Sequence, residues 1–394
     1  MDDPAADPMP DDVPAEKERR STNLELFVDL AFVFAISQLS VLLASDLSLA
    51  GVAKAMLVAW TVWWVWSQFT WLGTSVDLER DGRTIASFLL TLVPVILMAT
   101  AIPASFGSDG PRFGLAVLAA SLWSVMLQGF GAWVQPETRA AWIRYAPLAA
   151  IAPIVVGVGG FLSGGARVAA WSVAVLLDVG GALSAGRQTS NRPGVWAINV
   201  SHFADRHALF VIIVLGEVLV AVGSAATGEP IDAPRLAAIG GSVLLAAVLW
   251  WSYFGFVSSV SEDRFRQGDV VDRGHIARDL YSFGHFPLVA GIACVAVIVE
   301  IVVAHPHARL NSDELGLLMF ATVLMIGGYL GMRWRIQHRV GRERIVTIGV
   351  VGVVVTTLGP RVVGWLVVVT VALVLAGAQA FTTRHMTGVV RRSV

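Results

Sequence analysis

NLELFVDLAFVFAISQL, residues 23–39, carries apolar side chains on every face of a helix, yet places Glu25 and Asp29 four residues apart near one end. Its apolar run continues to about residue 44, and runs of about 18–25 such residues recur along the chain. Each is long enough to cross a hydrocarbon core roughly 30 Å thick. The runs are continuously apolar rather than alternating, which excludes a β-barrel. Of the 394 residues, 56% are hydrophobic and 14% charged, with a mean hydropathy of +0.70. Soluble domains carry roughly 25% charged residues. The chain therefore reads as an all-α polytopic membrane protein.

Hydropathy and chain breakers predict twelve spans, near 24–44, 50–73, 84–106, 112–133, 139–162, 165–185, 206–226, 235–258, 278–304, 313–333, 343–359 and 362–382. Of the 28 basic residues, only Lys54, Arg112, Arg167, Arg235, Arg309 and Arg361 then fall on the outer side. By the positive-inside rule this favours a multi-pass protein of the plasma membrane with both termini cytoplasmic. One cysteine, Cys294, permits no internal disulfide and no cysteine-based zinc site. A net charge of −1 argues against a nucleic-acid partner. Residues 1–22, rich in Asp and Pro, read as a disordered acidic tail rather than a signal peptide.

The second half echoes the first. ELFVDLAFVFAI in the first span resembles ALFVIIVLGEVLVAV in the seventh, WTVWWVWSQF in the second resembles LWWSYFGF in the eighth, and the third and ninth carry Pro94 and Pro287. About twelve transmembrane helices are thus expected as two parallel six-helix repeats, 23–186 and 206–384. A cytoplasmic linker over 187–205 joins them and a basic tail follows over 385–394. Parallel repeats place polar sites between them.

Charges inside a bilayer cost about 2.5–3.5 kcal/mol each on insertion scales, so they mark candidate sites. Glu25, with Asn23 as a candidate N-cap, is expected to stay wet at the helix start. Asp29 lies deeper and needs a partner. In SHFADRHALFVIIVLGE, Arg206 and Glu217 are eleven residues apart on one face, which puts Glu217 about 16 Å further into the membrane. His202 and His207 read as loop and interface residues that could also relay protons. Arg278, Ser282 and His285 share a face at helical spacing just before Pro287. Asp178 is isolated and deep, Glu300 is interfacial, and the Trp-rich stretches read as belts and helix packing. No nucleotide loop, metal-ligand pattern or nucleophile elbow appears, so no catalytic residue, metal or cofactor is assigned.

These segments resemble the bacterial low-temperature-requirement A (LtrA) family. The likeness lies in ELFVDLAFVFAISQL at 25–39, WWVWSQF at 63–69 with Asp77 and Arg83, HFADRHALFVIIVLGE at 202–217, WWSYF at 250–254 and RDLYSFGHFPLVAGI at 278–292. Asp205 stands where the family pattern has glutamate. The resemblance implies a multi-span inner-membrane protein tied by name to growth in the cold, and no particular biochemical activity. LELFVDLAFVFAI is also similar to the LEAFSDGVFAIA-type first helix of two-repeat potassium channels of endolysosomes and bacteria, though Val28 replaces the serine and the second half lacks a copy.

The residues suggest a secondary transporter of an unknown small solute or ion, with protons as a candidate coupling ion. A channel-like cation conductor and a membrane enzyme or lipid-handling protein are the alternatives. The partners expected are the bilayer and that solute, with homo-oligomerisation left open.

Overall fold

The computed structural model describes residues 19–134, 136–185, 198–338 and 341–390. Every regular element among them is helical: α1 (Asn23–Ser45), α2 (Leu49–Ser75), α3 (Gly82–Leu89), α4 (Leu92–Ala101), α5 (Gly110–Val134), α6 (Pro136–Gly159) and α7 (Gly164–Ala185) in the first half. The second half holds α8 (Val200–Ala226), α9 (Ala233–Ser252), α10 (Ser258–Arg266), α11 (Val270–Ile276), α12 (His285–Ala304), α13 (Ser312–Gln337), α14 (Arg342–Thr357) and α15 (Gly364–Val390). Residues 187–197, expected as linker, lie outside the described residues, as do 1–18 of the acidic tail and 391–394 of the basic one. Residues 200–205, also expected as linker, belong instead to α8.

Among the described residues, eleven helical passages are long and apolar enough to cross a membrane, where twelve were expected. The twelfth, α14, has 16 residues and is about 24 Å long at 1.5 Å per residue, short of a full hydrocarbon core. It still packs along α13. Glu343 at its start pairs with Arg333, and Arg309 donates to the Pro360 carbonyl just beyond its end, at 3.3 Å.

Helix starts are written in capping side chains. Ser48, Asp81, Asn199 and Asp232 each accept a backbone N–H from the first turn, and Thr22–Glu25 and Asn311–Glu314 form capping boxes. The cap of α1 is thus Thr22, one residue before the expected Asn23. Prolines set the interruptions. Pro94 clashes with the carbonyl four residues back, and the third span breaks into α3 and α4 at Leu90–Thr91. Pro287 offers no N–H to Phe283, and the chain before it widens into a π-helical turn over Ala277–Phe283. A second π-helical turn, Tyr253–Val257, joins α9 to α10.

Neighbours follow one order in both halves. In the first, α1 packs on α2 and α4, α4 on α5, α5 on α6 and α6 on α7, with α7 returning to α2. In the second, α8 packs on α9 and α12, α12 on α13, α13 on α14 and α14 on α15, with α15 returning to α9. At one end of the bundle two buried arginines tie loops to helix ends. Arg167 donates to the carbonyls of Ser105, Gly107, Gly160 and Leu162, and Arg235 to those of Pro230, Val303 and Ala304.

The most buried helix is α12, which touches α1, α2, α8, α9, α13 and α15. Its Gly291 lets α13 approach closely: a Cβ there would lie 2.9 Å from the Ala321 carbonyl oxygen and 3.2 Å from the Met325 nitrogen. Gly291→Ala is expected to cost about 1–3 kcal/mol through overpacking, read as a lower thermal unfolding midpoint in detergent. Gly349→Ala, where an added Cβ meets nothing within 4 Å, should leave the midpoint unchanged or raise it.

Candidate functional site

Helices α1 and α8 run parallel, and their polar residues meet in sequence order. Glu25 faces His202, Asp29 faces Arg206, and Ser37 faces Glu217, at sequence separations of 177, 177 and 180. Two carboxylates in lipid are tolerated here because the partner helix supplies their counter-groups at matching depths.

The deeper pair is a two-pronged contact. Arg206 Nη1 donates to Asp29 Oδ2 at 2.6 Å and Nη2 donates to Oδ1 at 2.8 Å. Trp66 Nε1, from α2, donates to Oδ1 at 3.0 Å, and its ring lies 5.7 Å from the guanidinium carbon. Planar guanidinium matched to carboxylate in this way is the strong form of an ion pair. Arg206 is only 1% exposed.

Glu25 is also fully buried, which overturns the expectation that water solvates it. The capping role survives: Oε2 accepts from the Thr22 nitrogen at 3.0 Å and from Thr22 Oγ1 at 3.2 Å. The rest of the carboxylate turns inward, 2.9 Å from His202 Nε2 and 3.9 Å from Arg206 Nε. Residues of the expected tail seal it. Arg19 donates to the Gly73 and Val76 carbonyls, and the Ser21 nitrogen to Asp205. His202 and His207, read as loop and interface residues, are both buried in α8. The cluster thus sets two carboxylates, Glu25 and Asp29, against one guanidinium, Arg206, and one imidazole, His202.

Gly73 makes room for this arrangement. A Cβ there would strike Glu25 Oε1 and lie 3.3 Å from His202 Cε1. Gly73→Ala is expected to part Glu25 from His202 at a cost of about 1–3 kcal/mol. Adding Glu25→Gln to the same chain should cost less than it does alone, a non-additivity that a double-mutant cycle in thermal unfolding measures.

His285 and His207 form a second cluster, wrapped in aromatic rings. His285 Nδ1 donates to the Leu280 carbonyl and Nε2 accepts from the Tyr253 hydroxyl, both at 2.9 Å. Tyr281 stacks on its ring at 5.1 Å, and the His207 ring lies 5.2 Å away. His207 Nδ1 donates to the Phe203 carbonyl at 2.9 Å, which leaves Nε2 as a buried acceptor with no partner. Ser282 accepts at its carbonyl from Trp63 Nε1 at 2.7 Å and at its hydroxyl from Trp71 Nε1 at 2.9 Å. The Trp-rich face of α2 therefore takes the expected helix-packing role and bonds to the second half of the chain.

Glu217 and His285 take separate partners, Ser37 and Tyr253. One expected grouping does not occur: Arg278 was expected beside Ser282 and His285, but it pairs with Asp279, which Arg335 also holds. The wider π-helical turn carries it off that face. Asp178 accepts from Trp60 Nε1 at 3.3 Å, a pairing across helices within the first half. Glu217, by contrast, has Glu300 of α12 within electrostatic reach. Between the Asp29–Arg206 pair and Glu217 lie buried Phe32, Ile36, Phe210, Val211 and Val214. Among the described residues no three His, Cys, Asp or Glu side chains converge on a metal-sized site.

The α1 and α8 contacts lie in the stretches that carry the family likeness, and the match extends well beyond them. Residues 20–387 match the family described as Bacterial low temperature requirement A protein (LtrA). The chain belongs to the LtrA family. An uncharacterized protein of Rhizobium meliloti (strain 1021), RA0937, is 30% identical over 337 residues, covering 80% of this chain and 77% of that protein. No solved structure is similar. Within this LtrA-family chain, the residues that sequence reasoning missed are Ser37, Tyr253, Tyr281, the tryptophan donors and Ser67, whose hydroxyl lies 3.3 Å from that of Ser282. The available signal was helical spacing, since Trp63, Ser67 and Trp71 recur every four residues on one face of α2.

Proposed function

We propose that this protein is a secondary transporter of a small solute or ion, coupled to protons, whose pathway follows the α1–α8 seam. One observation carries the reading. Two parallel helices meet through polar groups at two depths, Glu25–His202 with Asp29–Arg206 and then Ser37–Glu217, with an apolar layer between. A closed seam with polar stations on both sides of a plug is what an occluded carrier needs. The inner station holds an ion-pair latch that opening would separate. The outer station offers two acids, Glu217 and Glu300, and Arg and Lys make no ion pair with either among the described residues. That is a site for a proton or another cation.

The matching order of neighbours in the two halves, and the parallel course of α1 and α8, support a duplicated six-helix unit related by an axis along the membrane normal. The concentration of arginines at the end where α1 and α8 begin supports a plasma-membrane orientation with that end cytoplasmic.

The test is flux. Purified protein in liposomes with an imposed pH gradient is expected to move protons when a transported solute is added, followed with a pH-sensitive dye across a panel of small cations and anions. Proton flux equal to that of empty liposomes with every solute would overturn the reading. Unitary current steps in planar bilayers would replace it with a channel.

A further inference from the structure

At the basic end of the bundle, a groove runs between α9–α10, α13, α14 and α15, and it belongs neither to the α1–α8 seam nor to the histidine cluster. Its two adjoining crevices share Tyr329, Arg344 and Thr382. We infer that this groove binds the phosphate of an anionic phospholipid from the adjacent leaflet.

The polar lining asks for an anion. Arg344 lies over the Tyr329 ring, 4.7 Å from its centroid, and makes no ion pair among the described residues. The neighbouring carboxylate, Glu343, is taken by Arg333, so the lining carries two guanidiniums against one acid. Three further polar side chains line it with no hydrogen-bond partner: the Tyr329 hydroxyl, Ser261 Oγ and Gln379 Nε2. Their residues are 6%, 2% and 3% exposed. Buried donors left unmade are costly, and a charged acceptor such as a phosphate oxygen satisfies them best.

The apolar lining asks for a lipid rather than free phosphate. Val257, Val260 and Ile336 wall one crevice, and Leu249, Met325 and Leu375 wall the other. A phosphodiester with acyl chains covers both kinds of surface, whereas inorganic phosphate covers only one. Basic pockets between helices at the charged end of a bundle suit anionic headgroups for the same reason.

The experiment uses full-length protein stripped of lipid in detergent and titrated with phosphatidylglycerol, phosphatidylcholine or inorganic phosphate, with bound species counted by native mass spectrometry. Wild type is expected to take one phosphatidylglycerol about tenfold more tightly than phosphatidylcholine. Arg344→Gln is expected to abolish that preference, and Tyr329→Phe, which keeps the ring and removes only the hydroxyl, to reduce it about threefold. Arg342→Gln, at an exposed position on the same end, should leave it intact. If Arg344→Gln does not elute as wild type, Arg344→Lys takes its place, with a partial loss expected because the planar fork is gone. Equal affinity for the two lipids, or a preference that survives in the arginine variants, overturns the inference. Displacement of phosphatidylglycerol by millimolar inorganic phosphate reassigns the groove to a soluble anion and overturns it as well.

Discussion

Replacing Arg206 with leucine is expected to destabilise the protein by about 3–5 kcal/mol, the range for removing one member of a buried ion pair. The loss comes less from the missing attraction than from what remains. Asp29 would keep only the Trp66 N–H, and Glu25 would keep only Thr22 and His202, both inside a region sealed from water. Removing both charges tests that account. Asp29→Leu with Arg206→Met fills similar volume with apolar atoms, and such replacements are often neutral or stabilising. The double variant should therefore unfold at a higher temperature than the single one, by most of the single variant's loss. Thermal unfolding of the three proteins in one detergent checks this. Equal losses in the single and double variants would mean that the stability lies in the guanidinium's packing against Trp66 and not in its charge.

The same pair shows what a sequence discloses and what it withholds. Composition and continuous apolar runs are properties of the chain itself, so the helical membrane class and boundaries such as those of Asn23–Ser45 follow directly, whereas α8 starts at Val200, six residues before its apolar run suggests. That Asp29 needs a partner also follows, because depth along one helix is local. Which partner it has does not follow. Arg206 lies 177 residues away, and only the parallel docking of α8 on α1 brings it close. Glu25 misleads for the opposite reason. Its place one turn into a helix suggests water, yet burial there is decided by Arg19, Gly73 and His202 from three separate segments. The spacing of Arg278, Ser282 and His285 fails because it assumes 3.6 residues per turn, and the chain before Pro287 winds as a π-helix. The shortness of α14 is already visible in the chain, because the run 343–359 is cut off by Gly359-Pro360-Arg361 and the helix Arg342–Thr357 holds 16 residues.

Glu217→Gln bears on the chemistry rather than the fold. The amide has nearly the shape of the acid and retains an oxygen for the Ser37 hydroxyl, so folding should be little changed. What it loses is an exchangeable proton. In liposomes, uptake driven by a pH gradient is therefore expected to fall to the level of empty vesicles. On the proposed mechanism, exchange of labelled solute across a membrane without a gradient should continue, because a carrier can still reorient with a permanently neutral side chain. Ser37→Ala should act differently, shifting the pH at which gradient-driven uptake is half-maximal without abolishing it, since the acid keeps its proton and loses only a donor. Glu300→Gln separates the two acids. A wild-type response there, with loss in Glu217→Gln, assigns proton carriage to Glu217 alone, whereas matching losses assign it to the pair. Full gradient-driven uptake in Glu217→Gln would remove Glu217 from the coupling mechanism and leave Glu300 as the outer station's remaining acid.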